Sequence, residues 1–285
     1  MLGQRIDKPP KQQLDKAMMN AIKKTLNLTR ILGHRQAAFY LFQKLIAKVV
    51  DKTFTLIIGK DPYAKEIIYE SCDDLLRQID PVLASEAADF SARSVKQMSR
   101  ERNIEPMGGA GSISACYFFT RALKPVAVIE TGVARGCSSY AFLSALTKNK
   151  NRGTLYSSDL PYLKDVRSAS YIGECVPDSL KSNWRLYLKG DNNNLREIIK
   201  NLPNGFQIMH YDSDKTFIGR WLALRILLPK LSPNGLVMMD DVGDNCFFKW
   251  FVERQNLNRI LFKEQDKLVG LAWSELSLLS RFLND

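Results

Sequence analysis

The chain is short of the residues that build thiolate metal centres and disulfide frameworks, with 5 Cys and 2 His in 285 residues. Cys72, Cys116, Cys137, Cys175 and Cys246 are odd in number, scattered, and form no CxxC pair. A zinc site or a disulfide scaffold is therefore not expected, and a reducing, cytoplasmic compartment fits best. Long apolar runs are lacking as well. The best candidate, Ala37 to Val50, is broken by Gln43, Lys44 and Lys48, which argues against a transmembrane helix. The Met1–Leu2 start offers neither an apolar core nor a small-residue cleavage site, so no secretory signal is expected. With only 11 Pro and 16 Gly beside 45% hydrophobic residues, the chain is neither disordered nor fibrous. It is long enough for one large α/β domain with an extension.

Negative charge is scarce at one end. Residues 1–60 hold twelve Lys or Arg against Asp7, Asp15 and Asp51, a net +9 of the total +11. The basic character thus belongs to an N-terminal extension, and the remainder is nearly neutral. Within the extension, Leu41, Leu45, Val49 and Phe42, Ile46, Val50 recur at helical spacing beside Lys44 and Lys48, the pattern of an amphipathic basic helix. The favoured expectation is a helix packed on the domain with its lysines in water. Peripheral contact with an anionic membrane surface or a polyanion is the alternative.

Two helices are expected over residues 62–103, the first carrying Ile67, Ile68, Cys72, Leu75 and Leu76, with Asp80-Pro81 as the break. Met107 to Gly111 reads as a flexible turn, and the division expected is a helical extension over 1–106 followed by a ligand-binding domain over 107–285. From Pro125 onward strands and helices alternate. Strands are expected at 126–130, 154–158, 184–188, 206–211 and 236–239, and helices at 138–146, 195–202, 217–231 and 247–255. The final strands, 260–263 and 268–273, are joined by only Glu264 to Lys267, too short for a crossover, so they should be antiparallel. The fold class expected is α/β, a doubly wound, seven-stranded, mostly parallel sheet with an antiparallel C-terminal hairpin.

In such sheets ligands bind beyond the carboxyl ends of the strands. Glu130-Thr131-Gly132-Val133-Ala134-Arg135-Gly136-Cys137-Ser138 follows the first parallel strand. Its glycines permit a sharp turn, and the next helix offers free N–H groups to a carboxylate. The dinucleotide fingerprint GxGxxG is not met, because Ala134 stands at its second glycine. Asp159 ends the second strand, where an acid can accept from ribose hydroxyls, and Gly190-Asp191 ends the third, beside where an adenine would lie. The ligand expected is an adenosine derivative without a diphosphate.

Two further apolar strands end in acids, His210-Tyr211-Asp212-Ser213-Asp214-Lys215 and Gly235 through Asp240-Asp241. If these strands are neighbours, Asp212, Asp240 and Asp241 converge, and an oxygen-only cluster suits Mg²⁺ or Ca²⁺. Helix capping by Asp240-Asp241 is the alternative.

Residues from about Met107 to Trp273 resemble the class I S-adenosylmethionine-dependent methyltransferases, and among them the metal-dependent O-methyltransferases of the macrocin (sugar) and catechol types. The resemblance implies that Glu130, Gly132, Gly136 and Ser138 hold the methionine end of S-adenosylmethionine and that Asp159 binds the ribose. It further implies that Asp212, Asp240 and Asp241 bind magnesium. Asp240-Asp241, where the catechol type has Asp-Asn, favours a sugar or glycosylated acceptor. The reaction implied is methyl transfer from sulfonium to the hydroxyl of a small acceptor, with Lys215, His210 or a metal-bound water as base. A nucleic-acid substrate is disfavoured, since Asp212-Ser213-Asp214-Lys215 stands where base N-methyltransferases carry Asn-Pro-Pro-Tyr. A non-catalytic adenosyl-binding module and a homo-oligomer are left open.

Overall fold

The computed structural model describes residues 11–59, 62–63, 65–100, 112–163 and 167–282. The Met107–Gly111 turn and the 106/107 boundary lie outside the described residues. Nine helices and eight strands run in chain order among them. Strands β2 (Ala127–Thr131), β3 (Thr154–Ser158), β4 (Trp184–Tyr187), β5 (Phe206–Tyr211) and β6 (Leu231–Met239) are mutually parallel. β7 (Asn258–Glu264) and β8 (Lys267–Trp273) form the expected antiparallel hairpin, with β8 inserted between β6 and β7. The sheet order is β1-β7-β8-β6-β5-β2-β3-β4.

The sheet has eight strands rather than the seven expected. The additional one, β1 (Ile68–Tyr69), pairs in parallel with the free edge of β7. Ile68 therefore does not belong to a helix. Ser71 accepts the N–H of Asp74 and starts helix α3 (Cys72–Ile79) only after it, leaving two β-favouring residues to close the sheet edge.

Alternation along the strands divides the core in two. Val128, Ile208, Leu236 and Met238 face the layer made by α3, α4 (Pro81–Arg100), α5 (Ile113–Leu123) and α6 (Cys137–Asn149). Ile129, Met209, Val237 and Met239 face α7 (Asp191–Lys200), α8 (Phe217–Leu227) and α9 (Phe247–Gln255). Leu75, Leu76, Ala87 and Phe90 of the N-terminal half join the first of these cores. The chain-initial helices α1 (Lys11–Leu32) and α2 (His34–Ile58) lie against the second side, where Phe54 of α2 stacks on Phe217 at 4.6 Å.

The amphipathic reading of α2 is corrected in its orientation. The side facing the domain mixes polar and small residues with Val50 and Phe54, with Ala37, Gln43 and Ala47 buried and Lys44 paired to Asp214 at 2.8 Å. Phe42, Leu45 and Val49 lie outward, 60, 65 and 62% exposed. Specific polar contacts fix this choice: Gln43 accepts from Asn192 at 2.7 Å, and Asp51 accepts the Phe217 N–H at 2.9 Å.

Candidate active site

The tips of β2, β5 and β6 lie side by side, because the parallel register continues past the strand ends. Asp212 N donates to Thr131 O at 3.1 Å, and Asp240 N donates to Tyr211 O at 3.0 Å. Gly132 makes this approach possible. Its φ is +78°, and a Cβ there would stand 2.0 Å from the Asp212 carbonyl oxygen. No side chain fits at that position. The turn continues through Ala134, a non-glycine residue at φ +47°, and Gly136 at φ +87°. The chain over Gly136 is Gly173, whose N–H donates to Ala134 O at 2.9 Å.

Glu130 and Ser138 face the buried side of this turn. The fully buried Glu130 carboxylate accepts from the hydroxyls of Ser138, Ser139 and Ser157 at 2.5, 2.6 and 2.7 Å. Three donors satisfy a carboxylate that would otherwise be expensive to bury. The pair thus ties the first turn of α6 to β2 and β3.

Asp159 and Asp191 stand at the neighbouring tips. Asp159 accepts the Ala134 N–H on Oδ2 at 2.8 Å and the Leu160 N–H on Oδ1 at 2.6 Å. Burial nevertheless outweighs these donors and pushes its carboxyl up to about 6, with Asp191 adding repulsion. Asp191 opens α7 and accepts from Ser158 at 2.6 Å and from Ser213. Its pKa is also raised by burial.

The acids of β5 and β6 meet as the strand order requires. Asp212 is raised by burial and then by the charge of Asp240. The Oδ1 of Asp240 is buried with no hydrogen-bond partner among the described residues, and the equally buried Oδ1 of Asp212 meets the Lys215 ammonium at 3.2 Å. Asp240 runs the other way. Burial opposes its charge, but His210 beside it and Lys267 and Lys215 further off hold its pKa below the usual range. His210 Nε2 lies 3.6 Å from Asp240 Oδ1, an ion-pair separation rather than a hydrogen bond. The imidazole is 1% exposed, and its pKa rises because the carboxylates of Asp240, Asp212 and Glu130 outweigh burial.

Asp241, at φ +51°, pairs with Lys215 and lies 3.5 Å from Lys267 Nζ. Lys215 also reaches Asp212 Oδ1 at 3.2 Å. Burial disfavours its ammonium, but Asp212 and Asp241 more than compensate and raise its pKa. Among the described residues no group of three His, Cys, Asp or Glu is arranged to hold a metal ion.

Several contributors carry no sequence signal of their own. Arg220 lies fully buried under the acidic tips, donating to Asp240 O at 3.0 Å, Asp241 O at 2.7 Å and Asn245 Oδ1 at 3.0 Å. The run Phe217–Leu227 holds two arginines, Arg220 and Arg225, and nothing local marks the first as the buried one. Lys267 arrives from the hairpin and Lys44 from α2, across separations that no local motif records. Lys44 and Asp51 of α2, with Ser213, Asp214, Lys215 and Asn245, wall a cavity of about 380 Å³ beside the acids.

A family model described as a methyltransferase domain matches residues 129–242, the span from β2 to just past Asp241. No curated protein matches the sequence. Among solved structures, the chain is similar to the S-adenosylhomocysteine-bound methyltransferase PaMTH1 of Podospora anserina, at 16% identity and TM-score 0.49, covering 69% of this chain and 97% of that one. It is similar to the O-methyltransferase TomG of Streptomyces achromogenes, at 15% identity and TM-score 0.47, covering 72% and 99%. It is also similar to an O-methyltransferase of Bacillus cereus, at 13% identity and TM-score 0.46, covering 78% and 99%. The family model gives residues 129–242 the likeness of a methyltransferase domain, carried here on a mostly parallel sheet that ends in an antiparallel hairpin. Among the described residues no helix is long and apolar enough to cross a membrane.

Proposed function

We propose that the protein is an S-adenosylmethionine-dependent O-methyltransferase acting on a small polyhydroxylated acceptor, a sugar or glycosylated metabolite. The observation that carries this reading is the meeting of Asp212 and Asp240 at adjacent strand tips, beside the glycine turn that follows β2, with Asp159 and Asp191 at the next two tips, those of β3 and β4. Asp159 would take the ribose hydroxyls, and Asp191 would border the adenine. The cavity beside them supports a hydroxyl-rich acceptor, since its Lys, Asp, Ser and Asn lining offers both donors and acceptors.

Magnesium fits the donor chemistry in part. Asp240 Oδ1 is a buried hard oxygen donor without a hydrogen-bond partner among the described residues and Asp212 Oδ1 carries the Lys215 contact, whereas Asp241 is held by both Lys215 and Lys267. Asp212 and Asp240 would hold the ion, which when bound supplies a lowered pKa for the acceptor hydroxyl. Lys215, kept protonated by its two carboxylates, donates to the acceptor oxygen and orients it rather than serving as a free amine. His210 is too enclosed to touch an acceptor and balances Asp240 from behind. Asp212, paired with Lys215 at 3.2 Å, is then the carboxylate nearest the acceptor oxygen that Lys215 orients.

Release of S-adenosylhomocysteine, followed against a panel of sugars and glycosides with catechol as the comparison, tests the acceptor class. EDTA is expected to suppress that release and Mg²⁺ to restore it. Full turnover in chelator would mean that Lys215 and Lys267 neutralise the acids unaided.

The raised carboxyl of Asp159 predicts a pH dependence. A protonated Asp159 loses an acceptor for the ribose, so S-adenosylhomocysteine affinity should fall as pH drops below about 6. Asp159→Asn should bind weakly at every pH. For stability the sign is opposite. Between the ordinary value of 3.8 and about 6 the folded state binds more protons than the unfolded one, so this group makes the fold less stable as pH rises through that window. Calorimetric titration across pH 5 to 8 (about the range that brackets the shift) checks the first effect, and an affinity flat across it would remove Asp159 from the cofactor.

A further inference from the structure

The outward face of α2 has no partner among the described residues, although it is the more apolar of the helix's two faces. Phe39, Phe42, Leu45, Val49, Leu56 and Ile57 are each more than half exposed. Phe39, Phe42, Leu45 and Val49 recur at spacings of three and four residues and form one stripe, which Leu56 and Ile57 extend two turns further on. Met19 and Leu26 of the adjoining α1 are more than half exposed as well. A run of large exposed apolar residues of this extent marks a surface that something covers.

The charge around the stripe indicates what that something is. Between residues 19 and 59 the exposed ionic side chains are Lys23, Lys24, Arg30, Arg35, Lys48 and Lys52, and none of the exposed residues is acidic. The single acid of the segment, Asp51, faces inward and accepts the Phe217 N–H. Lys48 and Lys52 lie one turn apart on a flank of the stripe, where long stems can lie along apolar matter while the ammonium groups reach an anionic layer. A second copy of this chain, docked stripe to stripe, would bring like charges together with no acid on either side to offset them.

We propose that α2, with α1 beside it, docks on the surface of an anionic lipid bilayer, its apolar stripe in the headgroup boundary and its lysines on the phosphates. The helix lies in the surface plane and does not cross it. Because the opposite face of α2 carries Lys44 and Asp51 into the cavity, the bilayer would lie one helix diameter, about 10 Å, from the acceptor site. This inference is independent of which acceptor is methylated and of whether a metal takes part.

Co-sedimentation of the full chain with phosphatidylcholine vesicles, with and without phosphatidylglycerol, tests it. Binding is expected only with the anionic lipid and should weaken steeply with salt. The variant Lys48→Glu/Lys52→Glu should bind roughly tenfold or more weakly. Phe42→Ser/Leu45→Ser/Val49→Ser should lose binding while retaining the melting temperature and S-adenosylhomocysteine affinity of the unmodified protein, since all three side chains lie outside the site. Equal recovery with neutral and anionic vesicles, or no binding at low salt, overturns the proposal. So does a dimer in sedimentation velocity that the triple variant splits, because the stripe would then belong to a second copy.

Discussion

Asp212→Ala is expected to lower turnover by a hundredfold or more (on the order of the loss when one preorganised electrostatic group is removed) while leaving S-adenosylhomocysteine affinity close to that of the unmodified protein. The separation follows from position. Asp212 sits at the tip of β5 and its backbone N–H holds Thr131 O, a contact that survives the substitution. The nucleoside would rest on Asp159 and Asp191, at the tips of β3 and β4. Stability offers a second readout. Burial and the neighbouring charge of Asp240 both disfavour the Asp212 carboxylate, so its removal relieves repulsion and should leave the melting temperature unchanged or slightly higher. Equal losses of turnover, affinity and stability would instead mean that Asp212 is structural.

Arg220→Met should do the reverse, costing stability first and activity as a consequence. The guanidinium is fully buried and binds three acceptors, the carbonyls of Asp240 and Asp241 and the side chain of Asn245. Methionine fills much of the volume but removes all three bonds; Asp241 O keeps the Asp244 N–H and Asn245 Oδ1 keeps the Phe247 N–H, so the loss falls hardest on Asp240 O, and a buried orphan costs about 1–3 kcal/mol. A loss on the order of 2 kcal/mol is expected by denaturant unfolding. The same carbonyls set the turn that holds Asp240 and Asp241 in place, so kcat should fall in the fraction that stays folded. An unaltered unfolding midpoint would contradict the clamp.

These two residues also mark how far the sequence could be read. Asp212 was legible because an apolar strand that ends in an acid points that acid at the rim, and strand adjacency then brings Asp240 beside it. Thr154–Ser158, Phe206–Tyr211 and Phe247–Gln255 fall where periodicity and flanking turn residues put them. β6 starts earlier than expected, at Leu231, because its polar stretch Ser232–Gly235 still aligns with β5 across an irregularity at Phe206–Ile208. α7 starts at Asp191 rather than Leu195, since an acid at a helix N-terminus can be a helical residue as well as a strand-end acid.

What stayed hidden depends on long-range partners. Arg220 sits in a run of core residues, and only the folded chain shows that carbonyls surround it. Glu130 reads as a pocket acid until three serines from two elements appear around its carboxylate. α2 has two faces that could be buried, and hydrophobicity favours the wrong one. Lys44, Gln43 and Asp51 decide the matter through partners about 150 residues away, as Gln43 and Asn192 are.

The central claim is that an adenosyl donor sits across the tips of β2, β3 and β4, with its reactive end toward Asp212. A crystal structure of the full chain with S-adenosylhomocysteine tests it most directly. The account predicts the ribose hydroxyls within hydrogen-bonding distance of Asp159, the adenine beside Asp191, and the sulfur turned toward the Asp212–Asp240 edge. A nucleoside bound elsewhere, or none at saturating ligand, would contradict it.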